Sequence, residues 1–154
     1  EMCIRDRFQI KRLNELSTLE LYEALQLRAN VFVVEQNCVY PDIDGKDTKA
    51  LHVLGTFDGK IVAYTRLFDG GYYFDNPSIG RVVIDADYRD RKWGHDLMKA
   101  SINAVYDNFG EKTITISAQL YLKKFYESHG FVQDGEGYLE DDIPHIRMHK
   151  VFVL

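Results

Sequence analysis

Arg89, Arg91 and Lys92, with Gly94 just beyond, stand between an apolar run, Ile79 to Ile84, and an amphipathic run that opens at Trp93. A strand that feeds a short basic loop and then a helix leaves several backbone N–H groups unpaired at the helix start. Those amides and the helix dipole favour an anion, so the corner suits a phosphorylated ligand. Asp90 partly opposes the basic side chains, which makes backbone donation matter more than net charge. An ordinary charged turn before a helix would use the same residue types. The segment Asp42-x-Asp44-Gly45-x-Asp47 invites a calcium reading. It fails the EF-hand pattern, because its glycine comes too early and no Glu closes it, so a polar glycine turn is expected. The His residues show no ligand spacing and no Cys-x-x-Cys is present, so no metal is expected. No Ser/His/Asp grouping is legible.

The elements that position these residues follow from local pattern. Phe8 to Leu13 alternates like a strand. Ser17-Thr18-Leu19-Glu20 forms a capping box, and Leu21, Leu25, Arg28 and Phe32 then keep helical spacing, which predicts a helix from Thr18 to about Val34. Gln36 to Lys49 reads as a polar loop. Ala50 to Phe57, Asp58-Gly59 and Lys60 to Phe68 read as a hairpin on a type I′ turn. Asp69 to Pro77 is a connection, and Ile79 to Ile84 the central strand. Trp93 to Phe109 is a helix stopped by Gly110, Thr113 to Ser117 a strand, and Tyr121 to His129 a helix stopped by Gly130. Phe131 to Gln133, a Gly-rich turn, and His145 to Phe152 complete a β end. This order predicts one α+β domain around a central sheet.

The 154 residues suffice for one domain with one core, and the net charge of −5 offers no basic face for nucleic acid. No apolar run approaches the roughly 20 residues of a membrane span. Residues 1–7 have no apolar signal region and read as an appended, non-native end, with residues 8–154 as the single domain. Cys3 and Cys38 are too few for a disulfide framework, which points to a reducing cytoplasm.

The order strand, Arg89-x-x-Lys92-x-Gly94, helix, strand, Gln119, and Phe125-Tyr126-x-x-x-Gly130-Phe131 resembles the GNAT N-acetyltransferase superfamily. The family's loop is Gln/Arg-x-x-Gly-x-Gly/Ala. Arg89 and Gly94 fill its ends, and Lys92 stands at the first glycine. Lys92 is expected to be tolerated there with its side chain outward and a negative φ. Gln119 stands where the second signature has Asn, and Tyr126 falls at its Tyr. These departures, the segment Phe32 to Asp47, and Ile143-Pro144-His145-Ile146-x-Met148 resemble the ElaA-like branch. The resemblance runs from about Leu25 to Lys150.

It implies a GNAT fold, with a single mixed central sheet that holds a parallel splayed strand pair flanked by helices. It also implies direct acetyl transfer from acetyl-CoA to a primary amine of a small molecule or peptide, with no acyl-enzyme. The amides of Arg89, Asp90, Arg91, Lys92, Trp93, Gly94 and His95 would hold the pyrophosphate. Val82, Val83 and Ile84 would pair with the pantetheine amides as an added strand does. Gln119, Phe125 and Tyr126 would complete the cofactor side. Periodicity alone puts Tyr126 in the core; its context makes it the candidate acid toward the leaving thiolate. A protonated amine must lose a proton before it attacks. Glu35, directly or through water, and His145 are the rival bases, and a structural His145 is the alternative to both. Asp42, Asp44, Asp47, Glu140, Asp141 and Asp142 could rim an acidic mouth that attracts a cationic amine, or be solvated loop charges. Cys38 lies beside that loop. No nucleic-acid or membrane partner is expected, and a homodimer is compatible with this reading. A non-catalytic acyl-CoA-binding module and an acyl-homoserine-lactone synthase-like enzyme are the alternatives.

Overall fold

The computed structural model describes residues 8–153. The expectation for residues 1–7, Cys3 included, lies outside the described residues. Among the described residues, the chain forms seven strands and three α-helices. Strands β1 (Phe8–Arg12), β2 (Leu51–Phe57), β3 (Lys60–Phe68) and β4 (Ser78–Ile84) form one antiparallel sheet in chain order. Strands β5 (Ile114–Gln119), β6 (Val132–Glu140) and β7 (Ile143–Lys150) form a second, in the order β5-β7-β6. The helices are α1 (Thr18–Arg28), α2 (Trp93–Phe109) and α3 (Lys123–Glu127). Along the chain they follow in the order β1-α1-β2-β3-β4-α2-β5-α3-β6-β7.

The capping box forms as the sequence predicts. Ser17 Oγ accepts from the Glu20 amide at 3.1 Å, and the Glu20 carboxylate accepts from the Ser17 amide at 2.8 Å. The predicted helix does reach Glu35, but its last stretch, Ala29–Glu35, widens to π pitch. Asp58 and Gly59 both have positive φ, as a type I′ turn requires. The Gly-rich segment is not a turn. β6 runs on to Glu140, Gly135 sits at φ 82° where the register slips between Asp134 and Tyr138, and the reversal falls at Asp141-Asp142. β6 is an outer, largely exposed strand, where glycine makes a bulge at little packing cost.

The four-stranded sheet is buried on both faces. Ala24, Leu27, Val31 and Phe32 cover Leu54, Ile61 and Tyr64 on one side. Leu97, Met98, Ile102 and Val105 of α2 cover Val53, Ala63 and Leu67 on the other, and continue onto Ile114, Ile116, Ile146 and Met148 of the second sheet. Thus α2 holds the two sheets together through apolar burial.

The sheets touch at one root. The Thr115 amide donates to the Pro77 carbonyl at 2.9 Å, at the start of β5 and just before β4. Beyond that bond no ladder joins β4 to β5 among the described residues, so the expected splayed pair divides the β structure into two sheets. Opposite Thr65 the register between β3 and β4 slips, and Arg81 takes φ 50°. The bulge bends β4 away from β5 and leaves its second edge open.

Candidate active site

A cavity of about 690 Å³ fills the splay. One wall is β4, with Val82, Val83 and Ile84; the other is β5 and the segment after it, with Ser117, Gln119, Phe125 and Tyr126. The end of the π turn supplies Glu35, and β7 supplies His145. Residues expected from distant parts of the chain therefore meet around one space.

The phosphate corner has the predicted form with one correction. A 3₁₀ segment, Ala86–Arg91, leads to Lys92, which caps α2 at φ 61° with no side-chain cap bond. The expected negative φ is wrong. The loop needs a left-handed residue at this point, and Lys92 adopts it where the related pattern has glycine. The strain costs on the order of 1 kcal/mol. Lys92→Gly is therefore expected to stabilise the fold by about 1 kcal/mol, read as a rise of about 2–4 °C in a thermal melt. An unchanged or lower melting temperature would remove the strain argument.

Arg89 and Gly94 line the cavity; Asp90, Arg91, Lys92, Trp93 and His95 do not. Arg91 is committed elsewhere, with its guanidinium 5.0–5.2 Å from the ring centroids of Phe57, Tyr88 and Trp93. Trp93 is itself buried in the core. Arg91 and Trp93 can therefore serve the corner only through their backbone amides.

Arg89 is also shared. Its Nη1 and Nη2 donate to the Glu35 carboxylate at 2.5 and 2.8 Å, and its Nε to the Ile84 carbonyl at 3.1 Å. Hydrogen bonding from Arg89 holds the Glu35 carboxyl below its usual range. Glu35 is thus an ion-pair partner of Arg89, which weakens it as a base. Both side chains are more than two-fifths exposed, so the pair is worth little and a phosphate could compete for Arg89. Gln36 and Gln119 exchange amide bonds at 3.3 Å, tying the π turn to the end of β5.

The acidic mouth is the larger correction. Arg28, which is almost fully buried, donates to Asp42 Oδ2 at 3.0 Å, to Asp47 Oδ1 at 2.8 Å and to the Asp42 carbonyl at 2.7 Å. Arg66 binds Asp44 at 2.8 and 2.9 Å and Asp47 at 3.0 Å, and Arg81 binds Asp42 at 2.8 Å. Asp42, Asp44 and Asp47 are therefore neutralised and pin the Gln36–Lys49 loop to the sheet. Arg66 holds the Asp44 carboxyl far below its ordinary range against the opposing effect of burial. His52 supports the same loop. Its Nε2 donates to the Asp47 carbonyl at 3.0 Å, which leaves Nδ1 to accept from Tyr64 Oη at 2.6 Å. Of the six expected acids, only Glu140 and Asp141 line the cavity without an Arg or Lys partner among the described residues.

His145 is buried beside them. Its Nδ1 lies 2.7 Å from the Ile143 carbonyl, which can only accept, so Nδ1 carries the proton. In the neutral ring Nε2 keeps its lone pair, 3.5 Å from Glu140 Oε2. Cys38 lines the cavity, with Sγ 3.5 Å from the Asp141 carbonyl. Tyr126 is also buried, and burial pushes its hydroxyl well above the usual tyrosine range. Among the described residues, burial and the neighbouring Tyr121 are what raise it. Gly130 at φ 91° ends this turn, and the Phe131 amide returns to the Tyr126 carbonyl at 3.2 Å. Among the described residues no group of three or more His, Cys, Asp or Glu is placed to hold a metal, and no helix is long and apolar enough to cross a membrane.

Residues 19–152 match the acetyltransferase (GNAT) domain family. The chain belongs to the GNAT family. ElaA from Escherichia coli is 42% identical over 139 residues, which cover 89% of this chain and 91% of ElaA. A crystal structure of an acyl-CoA N-acyltransferase from Pseudomonas aeruginosa is 40% identical, with a TM-score of 0.87 over 94% of this chain and 99% of that one. The GNAT fold extends further, to the CoA-dependent acyl-homoserine-lactone synthase BjaI. That structure has a TM-score of 0.78 at 16% identity over 96% of this chain and 83% of that one, a likeness of fold alone.

Proposed function

We propose that this GNAT protein transfers an acetyl group directly from acetyl-CoA to a primary amine of a small molecule or peptide. The observation that carries this is the open second edge of β4. It lies between an uncapped helix start and two proton-handling side chains, Tyr126 and His145. The fit to coenzyme A is physical. Unpaired amides at Trp93, Gly94 and His95 suit the pyrophosphate, and Val82 to Ile84 offer backbone partners to an extended pantetheine arm.

Acetyl-CoA supplies an activated acyl carbon and a thiolate leaving group. A cationic amine first gives up one proton to solvent, and His145 Nε2 takes a second from nitrogen as the new N–C bond forms. Tyr126 Oη donates a hydrogen bond to the sulfur as the C–S bond breaks. Its raised pKa keeps it protonated, but above a thiol's range near 8.5 full proton transfer to sulfur is uphill. The thiolate is then protonated from His145 or from solvent, which closes the balance. Glu140 and Asp141 leave a residual acidic side to the mouth, which favours a cationic amine.

The test is release of free thiol from acetyl-CoA across a panel of polyamines, lysine-like and arginine-like amines, and anionic amines. Turnover led by the cationic members is expected. Binding of acetyl-CoA with no thiol release from any amine would favour the non-catalytic acyl-CoA-binding module. A best rate with the anionic amines would overturn the acceptor class.

A further inference from the structure

A basic cluster lies just outside the cavity, beside Gly94. His95 Nδ1 and His129 Nε2 stand 2.9 Å apart, with ring centroids at 5.1 Å. Both rings pack on Phe125, at 5.0 and 5.2 Å. Phe125 is the side chain that a Cβ on Gly94 would meet at 3.4 Å, so the cluster borders the start of α2. Lys99 lies one turn beyond His95 on that helix. Lys150, at the end of β7, places Nζ 2.7 Å from where a Cβ on Gly130 would stand. Four basic groups from α2, β7 and the end of the α3 segment therefore converge. The charged groups that act on His129 are His95, Lys99 and Lys150, with no carboxylate among them.

Like charges gathered without a counter-charge repel, and an anion relieves them. We propose that His95, His129, Lys99 and Lys150 form a phosphomonoester site that takes the 3′-phosphate of coenzyme A. The proposal rests on the coenzyme A reading above. The 3′-phosphate hangs from the ribose joined to the pyrophosphate, so it must fall next to the helix start that holds the latter. Burial and the positive neighbours favour the neutral form of His129. A phosphate dianion reverses that preference, so binding takes up a proton and strengthens as pH falls.

The experiment is calorimetry of coenzyme A and of 3′-dephospho-coenzyme A on the full chain, at about pH 8 and about pH 6.5, around the histidine range. Coenzyme A is expected to bind about tenfold tighter, as for one charge-assisted contact, with the ratio growing at the lower pH. In His129→Gln the ratio is expected to fall toward one while the affinity for dephospho-coenzyme A stays the same. Equal affinities in the wild type overturn the proposal without any variant. A preference that survives in both His129→Gln and Lys99→Met also overturns it. An equal loss for both ligands in His129→Gln marks a structural role and overturns it as well. If neither ligand binds the wild type, the coenzyme A reading itself fails, which separates the two failures.

Discussion

Tyr126→Phe is expected to lower single-turnover acetyl transfer by about 10²-fold at saturating acetyl-CoA, with cofactor affinity nearly unchanged. The range for a positioned proton donor is roughly 10²–10⁴. The lower end applies because burial raises the hydroxyl and restricts it to hydrogen bonding, and because a thiolate is already a fair leaving group. Phenylalanine keeps the ring, which packs edge-on against Phe125 at 5.2 Å and Phe131 at 6.0 Å, so the fold should persist. A structural tyrosine would instead show an unchanged chemical step. Rapid-quench measurement with the best amine separates these outcomes, and equal rates would return Tyr126 to the core.

Local pattern carried much of the fold. The Ser17 capping box, the Asp58-Gly59 turn, and α2 with its Gly110 stop each depend on neighbours in sequence, and each forms as read. The GNAT resemblance brought Val82, Gly94, Gln119 and Tyr126 to one cavity, although they lie far apart in sequence. What stayed hidden depends on tertiary context. Lys92 takes a left-handed backbone because the loop between β4 and α2 demands it, against its own preference. The Gly-rich part of β6 looks like a turn only if the strand is assumed to be buried.

The Arg28, Arg66 and Arg81 network was the largest omission. Three aspartates in Asp42-x-Asp44-Gly45-x-Asp47 read as rim acids of the mouth or as solvated loop charges, because their arginine partners lie on α1, β3 and β4. The available signal was Arg28 itself, which falls on the apolar stripe of a helix and so had to find a buried partner. The same long-range pairing explains Glu35, whose partner Arg89 is distant in sequence.

Gly94→Val is expected to weaken acetyl-CoA binding by about 100-fold, the loss of charge-assisted bonds to more than one phosphate oxygen. Gly94 is the second residue of α2 and lines the cavity, so a side chain there occupies the approach to the free amides. A Cβ would stand 3.4 Å from Phe125 Cε1, an ordinary contact, so the methyl of Gly94→Ala is tolerated by the fold and gives an intermediate control. Wild-type protein should gain about 2.7 kcal/mol of thermal protection at a ligand excess of about 100 times Kd, and Gly94→Val about 0.4 kcal/mol at the same concentration.

Calorimetric titration of acetyl-CoA into wild type and Gly94→Val, each verified as folded, tests the placement of the coenzyme at the start of α2 most directly. Submillimolar or tighter binding to the wild type and a loss of about 100-fold in the variant are the predicted result. Equal affinities for the two proteins would contradict it.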